Sequence, residues 1–296
     1  MAETNRLIVG IDGTARAVAA ARWAGAVADK YGAALDIVHA APALGHNLSD
    51  AGAAARADTV AYHRENSAAF VKTALEAVLA DFPRLIVRPR FSDLPAADAL
   101  IEASASARLL VLSSAKVSPV GALLLGSTTL AVVRRGLCPV TVWRGGDLVP
   151  DGSAVVVGVD YAPAGMAALI SAMEFASRVA APLRVVHCWS TLSAAERRAI
   201  PWLVDWKGWE HAETERLNHT LDAYRMLHPD VDIECFVEPY DPSHSLLRHG
   251  TDAQLVVVGT GGRNPVTGVT LGSTTLNMLQ HCKTPVMVCH GTRHRR

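Results

Sequence analysis

The stretch from Leu255 to Val288, LVVVGTGGRNPVTGVTLGSTTLNMLQHCKTPVMV, joins a short apolar run, a glycine-rich loop and a helical pattern. The run Leu255–Val258 is β-branched and apolar on both faces, as is typical of a central parallel strand. The loop closes at Gly272, and Thr274–His281 has the pattern of a helix. Strand, glycine loop and helix in this order predict a βα unit of an open α/β sheet.

The same loop is a candidate phosphate-binding site. Gly259 would let a ligand approach the backbone, and Gly262 can take a positive φ. Gly272 and Ser273 open the helix, where unpaired N–H groups and the helix dipole favour an anion. The pattern has neither the lysine of a Walker A loop nor the third glycine of a dinucleotide fingerprint, and a purely steric need for glycine stays open. The loop also offers one fixed charge and further hydroxyl donors: Arg263, Thr274 and Thr275.

The chain is an internal repeat, which predicts a duplicated domain. The segment GSTTL at 126–130 recurs letter for letter at 272–276. We place the domains at 1–146 and 152–296, with a turn-forming linker between them. The other repeated segments are LIVGID (7–12) with VVVGVD (155–160), LDIVH (35–39) with LRVVH (183–187), LLVLS (109–113) with LVVVG (255–259), and CPVTV (138–142) with TPVMV (284–288).

Strands and helices alternate within each half, which predicts an open parallel sheet of five strands with helices on both faces. A switch point between the first and fourth strands puts a ligand at their carboxyl ends, where Asp12 and Asp160 follow the first strand of each half. In the first half the expected strands are Leu7–Ile11, Leu35–Ala40, Leu85–Phe91, Leu109–Leu112 and Val140–Trp143. The expected helices are Ala15–Tyr31, Thr59–Leu79, one capped near Ser92 and Asp93, and the GSTTL helix.

The spacing G-x2-G-x9-G-S, with its strand and helix context and the repeat, resembles the universal stress protein family in its tandem form. The resemblance implies two Rossmann-like domains of the adenine nucleotide hydrolase type that bind ATP, with or without Mg²⁺. It also implies that Asp160 binds the adenosine part and that the backbone at Cys188 faces adenine. From spacing alone, Asp160 could equally cap the following helix, and His39 and His187 are expected to be packed strand-end residues.

The first half departs from this pattern. Ser113 and Lys116 stand where the second half has Gly259 and Gly262, although the Gly-Ser pair after the nine-residue gap is retained. Lys116 either offers its ammonium group to a phosphate or is a solvated loop residue. We therefore expect the first site to be weakened or lost, with these remaining candidates: Asp12, Ala40, Lys116, Gly126, Ser127 and Thr128.

Composition excludes several classes of function. Lys plus Arg equals Asp plus Glu at 28 each, so no global field recruits nucleic acid or a membrane surface. The five cysteines form no CxxC pair and read as reduced core residues. Neither a secretory signal nor an apolar run of about 20 residues stands out, so we expect a soluble, cytoplasmic protein.

Two polar and aromatic patterns follow in the second half, and both have a simpler interpretation. A tryptophan stripe at helical spacing would cover the second site or an interface, or pack under a loop. A face with two histidines and a glutamate lacks a third converging ligand, so a surface face is favoured over a metal site. The residues are Trp202, Trp206 and Trp209 for the stripe, and His211, Glu215 and His219 for the face.

The predicted function is that of an ATP-binding regulator in stress response or growth arrest, a role that comes from the resemblance. The alternatives are a slow ATPase or nucleotidyl-transfer enzyme of the same fold, and a partner-binding scaffold with structural nucleotide. No catalytic residue or protein partner is assigned. The last strands, Val140–Trp143 and Val286–Cys289, are expected to pair as in a pseudo-dimer, and a homodimer is left open.

Overall fold

The protein is described here by a computed structural model. The description covers residues 5–40, 53–113, 125–146, 149–189, 205–239, 241–261 and 271–291, with only the backbone at 53–65. The chain divides near residue 149 into two compact units, called unit 1 and unit 2 below.

Unit 1 is a parallel sheet with the strand order β3-β2-β1-β4-β5. Its first strand therefore lies between the second and the fourth, which is the switch point expected for an open α/β sheet. The strands are β1 (Arg6–Gly10), β2 (Ala34–Ala40), β3 (Val87–Ser92), β4 (Leu109–Ser113) and β5 (Val140–Trp143). The helices are α1 (Ala15–Tyr31), α2 (Ala53–Asp81), α3 (Ala96–Ser104) and α4 (Ser127–Arg135).

Unit 2 repeats this topology with the parallel order β8-β7-β6-β9-β10. Two α/β units with parallel sheets confirm the predicted fold class. The strands are β6 (Val155–Val159), β7 (Leu183–Cys188), β8 (Ile233–Glu238), β9 (Leu255–Gly259) and β10 (Val286–Cys289). The helices are α5 (Pro163–Val179), α6 (Trp206–Leu227), α7 (Pro242–His249) and α8 (Ser273–His281).

The central strands form the core of each unit because they are apolar on both faces. Leu7 in β1 and Val155 in β6 are fully buried, as is Phe175 of α5. No helix within the described ranges is both long and apolar enough to cross a membrane.

Some predicted boundaries were wrong for local reasons. Leu85 belongs to a turn, since its N–H donates to the Phe82 carbonyl at 3.0 Å, and β3 begins only at Val87. The Ser92 hydroxyl accepts the Leu94 N–H at 3.2 Å and so closes a turn instead of capping a helix. Helix α3 begins after Pro95, whose ring fixes φ and has no N–H to satisfy.

A cluster of charged residues closes the end of β8. Glu238 accepts hydrogen bonds from the Ser245 hydroxyl at 2.6 Å and from Arg248, and lies 2.8 Å from His249 Nε2. Burial opposes ionisation of this carboxyl, but the bonds from His249 and Ser245 and the charge of Arg248 outweigh it. The pKa of Glu238 is therefore lowered.

We expect Glu238→Gln to lower the free energy of unfolding at pH 7 by about 1 to 3 kcal/mol, because it removes the charge that Arg248 and His249 face. A lowered pKa in the folded state contributes stability above the unfolded pKa, and this contribution is lost as pH falls through the folded value. The difference between parent and variant should therefore shrink as pH falls below the ordinary value near 4.5. Urea unfolding at several pH values measures it. Glu234→Gln, on the exposed part of the same strand, is the control; equal losses in both variants would contradict the prediction.

Candidate functional site

The carboxyl end of β9 packs against the first turn of α5. A Cβ atom placed on Gly259 would lie 2.6 Å from the Ala164 carbonyl carbon and 2.8 Å from the Gly165 nitrogen. Both neighbours are backbone atoms, so no side chain can move aside. Close packing of β9 on α5 is therefore sufficient to require glycine at position 259, whether or not a ligand approaches the backbone there.

The two ends of the glycine loop are held together. The Gly272 N–H donates to the Thr260 carbonyl at 2.8 Å, and the Thr275 hydroxyl donates to the Gly259 carbonyl at 2.6 Å. Gly261 has φ +71°, and a Cβ on Gly272 would lie 3.1 Å from the Gly261 Cα. Among the described loop residues it is thus Gly261, which sequence reasoning did not single out, that takes the positive φ.

The amino terminus of α8 presents its first N–H groups without a side-chain cap from the residues described. Gly272 is the N-cap with φ −62° and ψ 155° and makes no side-chain hydrogen bond. Ser273, the first helical residue, is exposed. Uncapped N–H groups and the helix dipole together favour a bound anion. In unit 1, Gly126 begins α4 in the same way, but a Cβ there would meet open space.

Asp160 follows β6 and lies on the first turn of α5. Its Oδ1 accepts the Ala162 N–H at 3.1 Å, and a Cβ on Gly165 would come within 2.2 Å of the same oxygen. The N-cap of α5 is Ala162 and has no side-chain hydrogen bond, so Asp160 closes a turn before the helix and does not cap it. No hydrogen bond to Oδ2 comes from the described residues. In unit 1, Asp12 Oδ1 accepts the Thr14 N–H at 3.0 Å and the Thr14 hydroxyl at 2.7 Å.

His187 and Glu213 form a buried pair beside Asp160. The His187 Nδ1 lies 2.8 Å from the Val159 carbonyl, which can only accept, so Nδ1 carries a proton. The Nε2 atom lies 3.3 Å from Glu213 Oε2.

An aromatic ring covers this pair. The centres of the Tyr161 and His187 rings lie 4.7 Å apart. The Tyr161 ring also contacts Arg216, whose guanidinium carbon lies 4.2 Å from the ring centre. Burial, and then the charge of Glu213, raise the pKa of Tyr161. Tyr161 itself has φ 59°, a left-handed conformation that non-glycine residues rarely take.

Several buried polar atoms in this region lack a hydrogen-bond partner among the described residues. They are the Tyr161 hydroxyl and the indole Nε1 atoms of Trp189 and Trp206, whose rings lie 5.8 Å apart. Buried polar groups are nearly always paired, with protein, water or ligand. We call Tyr161, Trp189, Trp206 and Glu213 the polar cluster. Tyr161 and Glu213 lie against His187, and Trp189 and Trp206 lie against each other just after β7 and at the start of α6. Indole, hydroxyl and carboxylate groups are partners that a polar heterocycle can pair with.

Among its described residues, unit 1 is apolar at the corresponding place. The His39 Nδ1 lies 3.0 Å from the Ile11 carbonyl, as in unit 2, but the ring packs against Phe70 at 5.6 Å. A Cβ on Gly13 would lie 2.7 Å from the same phenyl ring. Phe70 therefore packs where unit 2 has the His187–Glu213 pair, and the two units differ in chemistry at one point of the repeat.

The other sequence candidates are placed as follows. Burial raises the pKa of the Cys188 thiol to about 11, so it is a neutral thiol at the end of β7. Trp206 stacks on Trp189 whereas Trp209 is 55% exposed, and His211 and Glu215 form an exposed pair at 3.4 Å. Cys138, Cys282 and Cys289 are buried, and Ala40 ends β2. Four residues lie outside the described ranges: Lys116, Trp202, Gly262 and Arg263.

Sequence reasoning missed Glu213, Arg216 and Trp189. Their signal was weak: Glu213 is four residues before Leu217, which is buried, so the two share the inward face of α6.

Repeated α/β units, with a switch point at β1 and β6 and a helix that begins at a glycine loop, define a tandem Rossmann-like protein. The model of the universal stress protein family matches residues 3–144 and 153–290, and the chain belongs to this family. A universal stress protein of Mycolicibacterium smegmatis is 31% identical over 290 residues, with 95% of this chain and 96% of that protein covered. One from Mycobacterium tuberculosis has the same identity and coverage. The crystal structure of a universal stress protein from Archaeoglobus fulgidus has a TM-score of 0.66 at 17% identity and covers 98% of this chain and 99% of that chain.

Proposed function

We propose that unit 2 binds ATP, with or without Mg²⁺, and that the protein is a nucleotide-dependent regulator in stress response or growth arrest. One observation carries the proposal: three buried donors of the polar cluster lack a hydrogen-bond partner among the described residues, and the Glu213 carboxylate, 3.3 Å from His187, stands with them beside Asp160. Adenine carries an amine and ring nitrogens that would pair with such groups. The regulatory role itself rests on family membership.

In this proposal the ligand extends from the polar cluster to the start of α8. The base lies near the Cys188 backbone, and Asp160 offers Oδ2 to the adenosine part. The phosphates lie at the uncapped N–H groups of α8, where the helix dipole favours negative charge. The residues assigned to the phosphates are Gly259, Gly262, Arg263, Gly272, Ser273 and Thr274; Mg²⁺, when bound, would neutralise phosphate charge.

The site of unit 1 is proposed to be weakened or lost. Phe70 packs on Gly13 and His39, and the described residues of unit 1 offer a base no polar groups there like those of unit 2. The division into domains at 1–146 and 152–296, and a cytoplasmic location, belong to the same proposal. The location is supported by the five free cysteines, which suit a reducing compartment.

We expect calorimetry to find one ATP per chain, and mass spectrometry of the heat-released ligand to identify an adenine nucleotide. Asp160→Asn should weaken binding, while Asp12→Asn, the matched change in unit 1, should leave it unchanged. Turnover should stay far below about 1 per second, because the two carboxylates of the proposed site, Asp160 and Glu213, are assigned to the adenosine part and not to the phosphates.

Three results would change this proposal. No ATP binding by the parent would refute it. Fast phosphate release that Asp160→Asn or a loop variant removes would favour the enzyme alternative. A protein partner that is captured equally well with and without ATP would favour the scaffold with structural nucleotide.

A further inference from the structure

The outermost strands of the two units carry charges of opposite sign. In unit 1, Arg84 and Arg88 are exposed, just before and within β3. In unit 2, Asp230 and Glu234 hold the same places relative to β8 and are also exposed. The strand registers establish the equivalence, because β2 pairs with β3 as β7 pairs with β8.

The strand next to each outermost strand also carries a charge of opposite sign in the two units. Asp36 of β2 is opposite Arg88 in the register, and Arg184 of β7 is opposite Glu234. The Asp36 carboxylate is buried and lies 3.4 Å from Arg6 and 3.3 Å from Arg90. The inward acid contacts Arg90 of one edge, whereas the inward arginine, which also binds Asp252 at 2.7 Å, lies 3.5 Å from Glu234 of the other. The inversion therefore involves a pair of strands in each unit and not one surface residue.

Exposed apolar side chains accompany both charged edges. Ile86 is 61% and Phe91 59% exposed beside the arginines, and Met226 is 77% and Leu227 72% exposed just before the acids. Apolar surface with a charged rim marks contact sites. We call Arg84, Ile86, Arg88, Arg90 and Phe91 the basic edge, and Met226, Leu227, Asp230, Asp232 and Glu234 the acidic edge.

The backbone of the basic edge opposes the addition of a further strand. The Ile86 carbonyl accepts the Leu35 N–H at 2.9 Å, so residues 86, 88 and 90 direct their backbone groups toward β2. Residue 89 lies between them and faces outward, and it is a proline without an N–H. Proline on an open edge prevents strand pairing, so a partner must bind through side chains.

We propose that the basic edge of one copy of this protein binds the acidic edge of a second copy. Opposite charges on matched surfaces select this pairing over two like edges. Because the two surfaces differ, the contact is heterologous and leaves a free edge at each end for further copies. Exposed charges are screened by salt, so the association is weak and strongest at low ionic strength. Nucleotide binding is not required.

Sedimentation velocity at about 0.05 M and about 0.5 M salt tests the proposal, since the Debye length falls about threefold between them. The weight-average mass of the parent should rise with concentration at low salt and much less at high salt. Arg88→Glu and Glu234→Arg should each weaken association about tenfold or more, because like charges then face each other. An equimolar mixture of the two variants, and the double variant, should associate again because opposite charges meet.

Lys72→Glu and Glu76→Arg, on the exposed face of α2, make the same changes in net charge and should associate as the parent does. Circular dichroism checks folding, and Arg88→Gln gives a milder second variant that should show an intermediate loss. A parent that stays monomeric at low salt would overturn the proposal. So would a single charge reversal without effect, or a mixture that does not recover association.

Discussion

Gly272→Val should lower the affinity of unit 2 for ATP by about 100-fold or more, which corresponds to about 2.7 kcal/mol. The Cβ of the new side chain would lie 3.1 Å from the Gly261 Cα. This is the point where the Gly272 N–H joins the two ends of the loop by its hydrogen bond to the Thr260 carbonyl. It would also stand at the first turn of α8, between the uncapped N–H groups and the proposed position of the phosphates. The backbone itself tolerates valine, since φ −62° and ψ 155° are ordinary extended values.

Gly126→Val is the matched control because Gly126 begins α4 in unit 1 with nearly the same backbone angles. A Cβ there meets nothing within 4 Å, and we expect unchanged stoichiometry and affinity. Calorimetric titration of both variants and a thermal unfolding curve separate loss of binding from loss of folding. If both variants bind ATP equally, the phosphate site is not at α8; if only Gly126→Val loses binding, the nucleotide belongs to unit 1.

Gly259→Ser should destabilise unit 2 by about 1 to 3 kcal/mol, the usual cost of overpacking a core, and should also weaken ATP binding. The serine Cβ would overlap the backbone of Ala164 and Gly165, so the first turn of α5 must shift. Asp160 rests on that turn and would move with it. Urea unfolding and calorimetry on the same preparation measure the two effects.

Ser113→Gly is the reverse change at the matching position of unit 1, where the chain already accommodates a side chain. We expect a small change in stability, in the range of a glycine introduced at a strand end, and no change in ATP binding. A Gly259→Ser variant as stable as the parent would show that β9 and α5 are not packed as closely as described. Normal stability with lost binding would place the ligand itself against residue 259.

The fold could be predicted from the sequence because its signals are local. Runs such as Leu255–Val258 are apolar, β-branched and bounded by glycine, and burial in a parallel sheet accounts for all three properties. Asp160 and Gly272 were predicted as site residues for the same reason, since each stands next to a regular element. The predicted start of α3 was wrong because the Ser92 hydroxyl closes a turn before Pro95. Whether a serine closes a turn or caps a helix depends on the backbone geometry around it.

The polar cluster could not be predicted because it joins residues from distant parts of the chain. Glu213 reaches His187 only once α6 packs on its sheet. The sequence drew attention instead to His211 and Glu215 of the same helix, which form an exposed pair. The structure was also needed to explain Gly259 and Gly261. Gly259 is required by close packing on α5, and Gly261 by its positive φ, whereas a motif shows only that a glycine is present.

Tyr161 and Gly13 occupy the same place in the two repeats, both with positive φ. For glycine this backbone is free of strain, whereas a tyrosine gives up about 1 to 2 kcal/mol of stability. Backbone strain of this kind concentrates at functional sites, where the surrounding structure holds it in place. The ring over His187 therefore marks a point at which the two halves of the duplication are not interchangeable, because unit 2 holds a strained side chain where unit 1 has a relaxed glycine.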